Sequence, residues 1–207
     1  ARQFLKQAGM QAHAVPLDEE GLDVLAGQQH CPQARFAIVT PTHQSPMGMA
    51  MSLPRRLQLL DWASLQQAWI VEDDYDSEFR YHGRPLPALK SLDRDDRVIY
   101  TGTFSKVLNP GLRLAYLVAP SSQVERFRQT AHYSGGPGSI LTQATVADFM
   151  EQGYFARHLR KMRALYARRR AYLVQALEQT LGERLQVQSQ AGGIHVLANL
   201  REPEDDR

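Results

Sequence analysis

The chain is predicted to fold as an α/β protein built on a mostly parallel sheet, and three observations carry that prediction. Strand, loop and helix patterns alternate from Phe36 to Val118. Two short apolar runs, Phe36–Val39 and Trp69–Val71, lack polar alternation, as expected of strands buried on both faces. The polar residues capable of chemistry fall just after such runs, at strand carboxyl ends, where parallel sheets present their ligand sites.

Taken in order, Phe4, Leu5 and Ala8 give a helix over residues 1–9 that ends at Gly9. Ala12–Val15 reads as a short strand, and Asp18 as the N-cap of a helix over 18–25. After the Phe36–Val39 strand, Pro41, Pro46 and Gly48 make Thr40–Gly48 a loop. Leu57, Leu60, Trp62 and Ala63 place a helix over Pro54–Gln67. Trp69–Val71 is a strand carrying Asp73 and Tyr75 at its carboxyl end, and Val98–Tyr100 and Arg113–Val118 are two more. The pattern is helical from Leu141 to Leu181, with a bend near Gly153. Basic residues crowd that stretch, but Phe155, Leu159, Met162, Leu165 and Tyr166 interleave at helical spacing. It therefore reads as an amphipathic helix with a solvated basic face rather than a nucleic-acid surface. Arg184–Gln188 and Gly193–Leu197 alternate like two strands of a second, smaller sheet. The expected division is a large domain over residues 1–165 and the start of a small α+β domain over 166–207.

Composition narrows the classes. The 207 residues are 43% hydrophobic and 22% charged with a net charge of +2, which describes an ordinary globular chain without a polyanionic partner. One cysteine excludes an intrachain disulfide framework and suits a reducing cytoplasm, the expected location. No run approaches the roughly 18 apolar residues of a membrane span, so no membrane partner is expected. The sequence opens on Ala1 without an initiator methionine, and we expect a piece of a longer protein.

The chemistry centres on Lys106 in the run Tyr100-Thr-Gly-Thr-Phe-Ser-Lys106-Val-Leu-Asn-Pro-Gly-Leu-Arg113. Thr103 and Ser105 offer hydroxyls, the turn offers amides, and Pro110-Gly111 returns the chain so that Arg113 joins them. Hydroxyls, amides and a planar guanidinium around one amine form a cradle for a phosphate whose attached aldehyde the amine can capture. That is the requirement of pyridoxal 5′-phosphate (PLP), which also needs a carboxylate for its ring nitrogen. Glu72-Asp-Asp-Tyr-Asp-Ser-Glu-Phe79 supplies one. Asp73 and Tyr75, two apart on extended backbone, share a face and suit the ring nitrogen and the ring 3′-oxygen. Asp74 should point the other way and tolerate replacement. Alone, the acidic cluster would read as a solvated loop or a metal site; with the lysine cradle it reads as part of a cofactor site, and no metal is expected.

Thr40-Pro-Thr-His-Gln-Ser-Pro-Met-Gly48, Glu72-Asp-Asp-Tyr-Asp-Ser-Glu-Phe-Arg-Tyr81 and Val98-Ile-Tyr-Thr-Gly-Thr-Phe-Ser-Lys106 closely resemble the MocR/GabR group. These are GntR-type bacterial transcription regulators in which a winged helix-turn-helix domain precedes an aminotransferase-like domain. The resemblance implies the three-layer fold-type I (aspartate aminotransferase-like) large domain and part of the small domain. It implies that Lys106 carries PLP, Asp73 pairs with the ring nitrogen, Tyr75 bonds the 3′-oxygen, and Thr103, Ser105 and Arg113 hold the phosphate. Ordinary aminotransferases carry Asn-Pro-x-Gly where this chain has Ser45-Pro-Met-Gly48. Ser45, with His43 nearby, thus replaces the asparagine that would bond the 3′-oxygen. A DNA-binding domain, the start of the large domain and the substrate-carboxylate arginine should lie outside these residues.

Two functions follow as expectations. In the first, the chain is the effector-sensing domain of a regulator that binds an amine or amino acid as an external aldimine, displacing Lys106, with DNA bound by a domain outside these residues and a homodimer implied by the resemblance. In the second, it belongs to a free-standing transaminase in which Lys106 shuttles a proton.

Overall fold

A computed structural model describes residues 2–134, 136, 138–188 and 190–202. The N-terminal part differs from expectation. After α1 (Arg2–Gln7) no strand forms at 12–15; instead β1 (Leu17–Asp18) and β2 (Gly21–Leu22) make a small antiparallel hairpin. Asp18 caps no helix, because its carboxylate accepts from Glu20 N at 2.8 Å and Arg55 Nη2 at 2.7 Å. Gly21 takes φ +104° against Met51, a backbone state that breaks the anticipated helix. The helix starts later, as α2 (Val24–His30), capped by Asp23.

The main sheet has strand order β3-β4-β5-β6: β3 (Phe36–Val39), β4 (Trp69–Asp74), β5 (Val98–Thr103) and β6 (Ala115–Val118). The first two pairings are parallel and the third is antiparallel. Between β3 and β4 runs α3 (Leu53–Leu65), capped by Ser52 with Pro54 in its first turn. Its Leu59, Trp62 and Ala63 pack with Val39, Ile70, Leu89 and Val98 into the core. Arg56 is fully buried there, donating to the carbonyls of Met51, Pro87 and Pro41 at 2.7–3.0 Å.

Only one side of the sheet is covered in this way. Phe36 and Ile38 of β3, expected to be buried, are 49% and 48% exposed, because α2, α3 and α4 (Leu89–Leu92) occupy the other face. Alternation along the parallel register puts Ile70, Glu72, Asp74, Val98 and Tyr100 on the covered side. Asp73, Thr101 and Thr103 lie on the open one.

Beyond β5, α5 (Phe104–Val107) carries Lys106, and a 3-10 turn at Pro110–Leu112 returns the chain into β6. Three helices follow: α6 (Val124–Tyr133), α7 (Ile140–Glu151) and α8 (Tyr154–Leu181), with Gly153 at φ +75° between the last two. On α8, Leu159, Met162, Leu165 and Tyr166 are half-buried while Arg160, Lys161, Arg168 and Arg169 face solvent. The second sheet pairs β7 (Leu185–Val187) with β8 (Ala198–Leu200). Its second strand thus lies past most of the expected 193–197: Leu197 O accepts from Gln188 N beside the pair, while Gly193 N donates back to Phe79 O after β4. No helix among the described residues is long and apolar enough to cross a membrane.

Candidate functional site

Strand β5 ends in the turn that presents Lys106. Thr103 caps α5, its hydroxyl accepting from Ser105 N at 3.1 Å, and Phe104 N donates to Leu114 O at 3.0 Å to draw the two arms of the turn together. Asn109 caps the 3-10 turn by accepting from Gly111 N at 2.7 Å. Arg113 follows in a left-handed conformation, φ +49°. Lys106 and Arg113 are both exposed, and among the described residues neither side chain has a hydrogen-bond or ion-pair partner. Two unpaired cations on one small turn, with two hydroxyls between them in sequence, suit an anionic ligand bearing an electrophile.

Asp73 sits on the neighbouring strand, opposite Thr101 in the register. The surrounding protein and the Asp74 charge raise its carboxyl above the ordinary value, against a hydrogen bond from Thr101. A cationic group beside Asp73 would bring its carboxyl back down, which fits a carboxylate kept for a protonated ring nitrogen.

Tyr75 is held on three sides. Its hydroxyl donates to His43 O at 2.9 Å, lies 3.4 Å from His43 Nδ1, and is bonded by Ser45. Burial and then the Asp76 charge push its phenol up to about 12. Loop 40–48 thereby brings Ser45 and His43 together with Tyr75. His43 is buried, with Nδ1 3.1 Å from Asp76 Oδ2. His43, Asp76 and His195 each bring a potential ligand atom within 4.8 Å of the others.

Three carboxylates matter in ways the sequence reading did not assign. Glu72, fully buried, accepts from Leu89 N and Lys90 N, both at 2.9 Å, and so caps α4. Burial raises its carboxyl, partly offset by those two amides. Asp74 does face away from Asp73, but it is not tolerant surface: it is buried and accepts from Ser77 N at 3.2 Å, Ser77 Oγ at 2.7 Å and Tyr100 Oη at 2.7 Å. Asp76 is 2% exposed and accepts from Ile194 N as well as His43. The available signal was the placement of Glu72 and Asp74 at alternate positions of a buried strand, where charge requires partners. Nothing local connects Asp76 with His43, 33 residues earlier.

Known proteins resemble this chain in sequence and in fold. A family model described as aminotransferase class I and II matches residues 4–206. Among curated proteins, the "Probable rhizopine catabolism regulatory protein MocR" of Rhizobium meliloti is 39% identical over 206 residues, which are 100% of this chain and 41% of the relative. The HTH-type transcriptional regulator YdeL of Bacillus subtilis, described as uncharacterized, is 37% identical across 98% of this chain and 43% of its own length. The HTH-type pyridoxine biosynthesis transcriptional regulator PdxR of Corynebacterium glutamicum is 35% identical across 99% and 44%. The chain thus spans less than half the length of these relatives. Among solved structures, a Pyrococcus horikoshii kynurenine aminotransferase superposes with TM-score 0.85 at 30% identity, over 95% of this chain and 50% of that one. The α-aminoadipate aminotransferase LysN of Thermus thermophilus, solved with N-(5′-phosphopyridoxyl)-L-leucine, gives 0.83 at 30% identity, over 93% and 50%. The mixed sheet, the lysine turn at its end and the family model agree, and the chain belongs to the aminotransferase class I and II family.

Proposed function

We propose that this chain is the PLP-binding, effector-sensing part of a bacterial transcription regulator of the MocR type. The observation that carries the reading is the pair of unpartnered cations, Lys106 and Arg113, on the turn beside Asp73. The regulators similar to it along its whole length support the choice of a sensor, and the PLP-derived ligand of the LysN structure supports the choice of cofactor.

When bound, PLP supplies an electrophilic aldehyde and a ring that withdraws electrons from an attached amine. Lys106 is the amine that would hold the aldehyde and give it up to an incoming amine. Arg113 would take the phosphate in a bidentate grip, with the Thr103 and Ser105 hydroxyls beside it. Asp73 would keep the proton on the ring nitrogen, and Tyr75, with Ser45 and His43 behind it, would orient the ring by its 3′-oxygen. A sensor needs only that the effector bind two conformations unequally. DNA binding belongs to a domain outside these residues, the protein acts in the cytoplasm, and the working form is a homodimer.

The test uses the full-length protein. Borohydride reduction should fix PLP to the Lys106 peptide, and a cognate amine should change both the visible spectrum and binding to a DNA site near the protein's own gene. Lys106→Ala should lose the amine response and keep ligand-free DNA binding. Attachment at another lysine, such as Lys90 or Lys161, would refute the site. Rapid turnover of an amino acid with a keto acid, without specific DNA binding, would establish the enzyme that the aminotransferase structures favour instead.

A further inference from the structure

We propose that Asp76 is a positioning residue: it holds His43, and His43 in turn holds the Tyr75 hydroxyl. The functional meaning of that hold rests on the reading above, in which Tyr75 meets the 3′-oxygen of PLP.

Asp76 lies just past β4, on the segment that carries Tyr75, and its carboxylate is almost wholly buried. Oδ2 receives His43 Nδ1 at 3.1 Å and Ile194 N at 3.2 Å. A carboxylate accepts only, so Nδ1 of a neutral His43 must carry the proton and Nε2 must be the bare acceptor. Nε2 is buried with no partner among the described residues, and His43 lines a cavity of about 150 Å³. The ring cannot swing toward segment 190–195, because Gly193 packs against it so closely that a Cβ there would overlap the imidazole. With the ring pinned, the His43 carbonyl stays where Tyr75 Oη donates to it.

The same carboxylate ties this hold to the smaller sheet. Ile194 belongs to the connection between β7 and β8, and that connection is laid along residues 79–82. Gly193 N donates to Phe79 O at 2.8 Å, and Tyr81 N donates to Ala191 O at 3.0 Å. A shift of that connection would disturb the Asp76 oxygen that His43 depends on, and with it the position of the phenol. The hydrogen-bond arrangement also argues against a metal among His43, Asp76 and His195, since the carboxylate oxygen nearest the rings already serves two N–H donors.

The experiment combines two measurements on full-length protein. Histidine-selective ¹⁵N NMR of the cofactor-free form, assigned with His43→Asn, reads which ring nitrogen carries the proton. Retention of PLP on dialysis reads the consequence. Wild type should show His43 protonated at Nδ1. Asp76→Ala should move the proton to Nε2 and weaken PLP retention about tenfold or more, the scale of one lost bond to a charged group. Asp76→Asn, whose Oδ1 can accept the same bond, should preserve the Nδ1 form and most of the retention. If Asp76→Ala does not fold, wild type and Asp76→Asn still decide: a wild-type Nε2-protonated ring, or an Asn variant that loses the Nδ1 form, overturns the proposal. So does an unchanged tautomer in Asp76→Ala, which would leave the cofactor reading intact. An Asp76-dependent rise in melting temperature on adding Zn²⁺ would overturn it in favour of a metal site. Failure of every variant and of wild type to bind PLP, with the tautomers as expected, would refute the cofactor reading and leave the hold of Asp76 on His43 standing.

Discussion

Two neighbouring carboxylates should separate chemistry from folding when each is changed to asparagine. Asp74 Oδ2 receives Ser77 Oγ and Tyr100 Oη, both at 2.7 Å, while Oδ1 receives Ser77 N at 3.2 Å. In Asp74→Asn the remaining oxygen can serve Ser77 N, but an NH₂ replaces the oxygen that served two hydroxyls. Bonds to a charged acceptor are worth about 1.5–3 kcal/mol each, and the hydroxyls recover part of that by rotating, so we expect a loss of about 2–4 kcal/mol. Asp73 is exposed and, among the described residues, bonded only by Thr101, so Asp73→Asn should change stability by no more than about 0.5 kcal/mol. It removes the charge that would keep the ring nitrogen protonated, and exchange of the α-proton of a bound amino acid should slow severely. Removing the Asp74 charge should also lower the Asp73 carboxyl, because Asp74 is one of the causes raising it. Urea unfolding of full-length protein measures the first effect, and proton exchange followed by NMR with PLP present measures the second. An Asp74→Asn variant as stable as wild type would refute the packing argument. Unchanged α-proton exchange in Asp73→Asn would refute the assignment to the ring nitrogen.

Glu72→Gln keeps one acceptor for the two amides of α4 and should cost about 1–3 kcal/mol, measured by denaturant unfolding. The raised Glu72 carboxyl gives a stabilisation that is full below its ordinary value of 4.5 and lost as pH rises through the raised one. The deficit of Glu72→Gln relative to wild type should accordingly be larger in acid than at neutral pH; the opposite trend would contradict the sign. Gly193→Ala, at φ +86° and against the His43 ring, should cost about 1–2 kcal/mol from backbone alone and loosen PLP retention on dialysis. Full retention would show that the ring has room to move.

Strands starting at Phe36, Trp69 and Val98 were legible because each opens on a short apolar run, but the last two extend to Asp74 and Thr103, past the expected ends at Val71 and Tyr100. The lysine turn was legible because its residues are close in sequence. The hairpin at residues 17–22 was not, since Asp18 has the chemistry of a helix cap and its pairing with Arg55, 37 residues away, cannot be read locally. Exposure of Phe36 and Ile38 was equally hidden: hydrophobicity says that a residue favours burial, while which elements cover it is a matter of tertiary structure. The buried roles of Glu72, Asp74 and Asp76 depend on α4, Tyr100 and loop 40–48, so an acidic string that looks solvated serves as three separate internal acceptors.

Helix α8 has a mechanical consequence. Its 28 unbroken residues span about 42 Å at 1.5 Å per residue. Phe155 near its start meets Phe104 of the lysine-bearing helix, and His158 bonds Val107 O at 2.8 Å. Farther along, Tyr166 meets Phe79, and Arg170 reaches His195 O at 2.7 Å. The rod therefore ties the lysine-bearing helix, the segment after β4 and the connection leading to β8 to one rigid element. A tilt of about 5° at the glycine would carry the far end through roughly 4 Å over that length. In such a tilt His158, about 7.5 Å from the glycine, would move by roughly 0.7 Å while β7, beside the far end, moves by several ångströms.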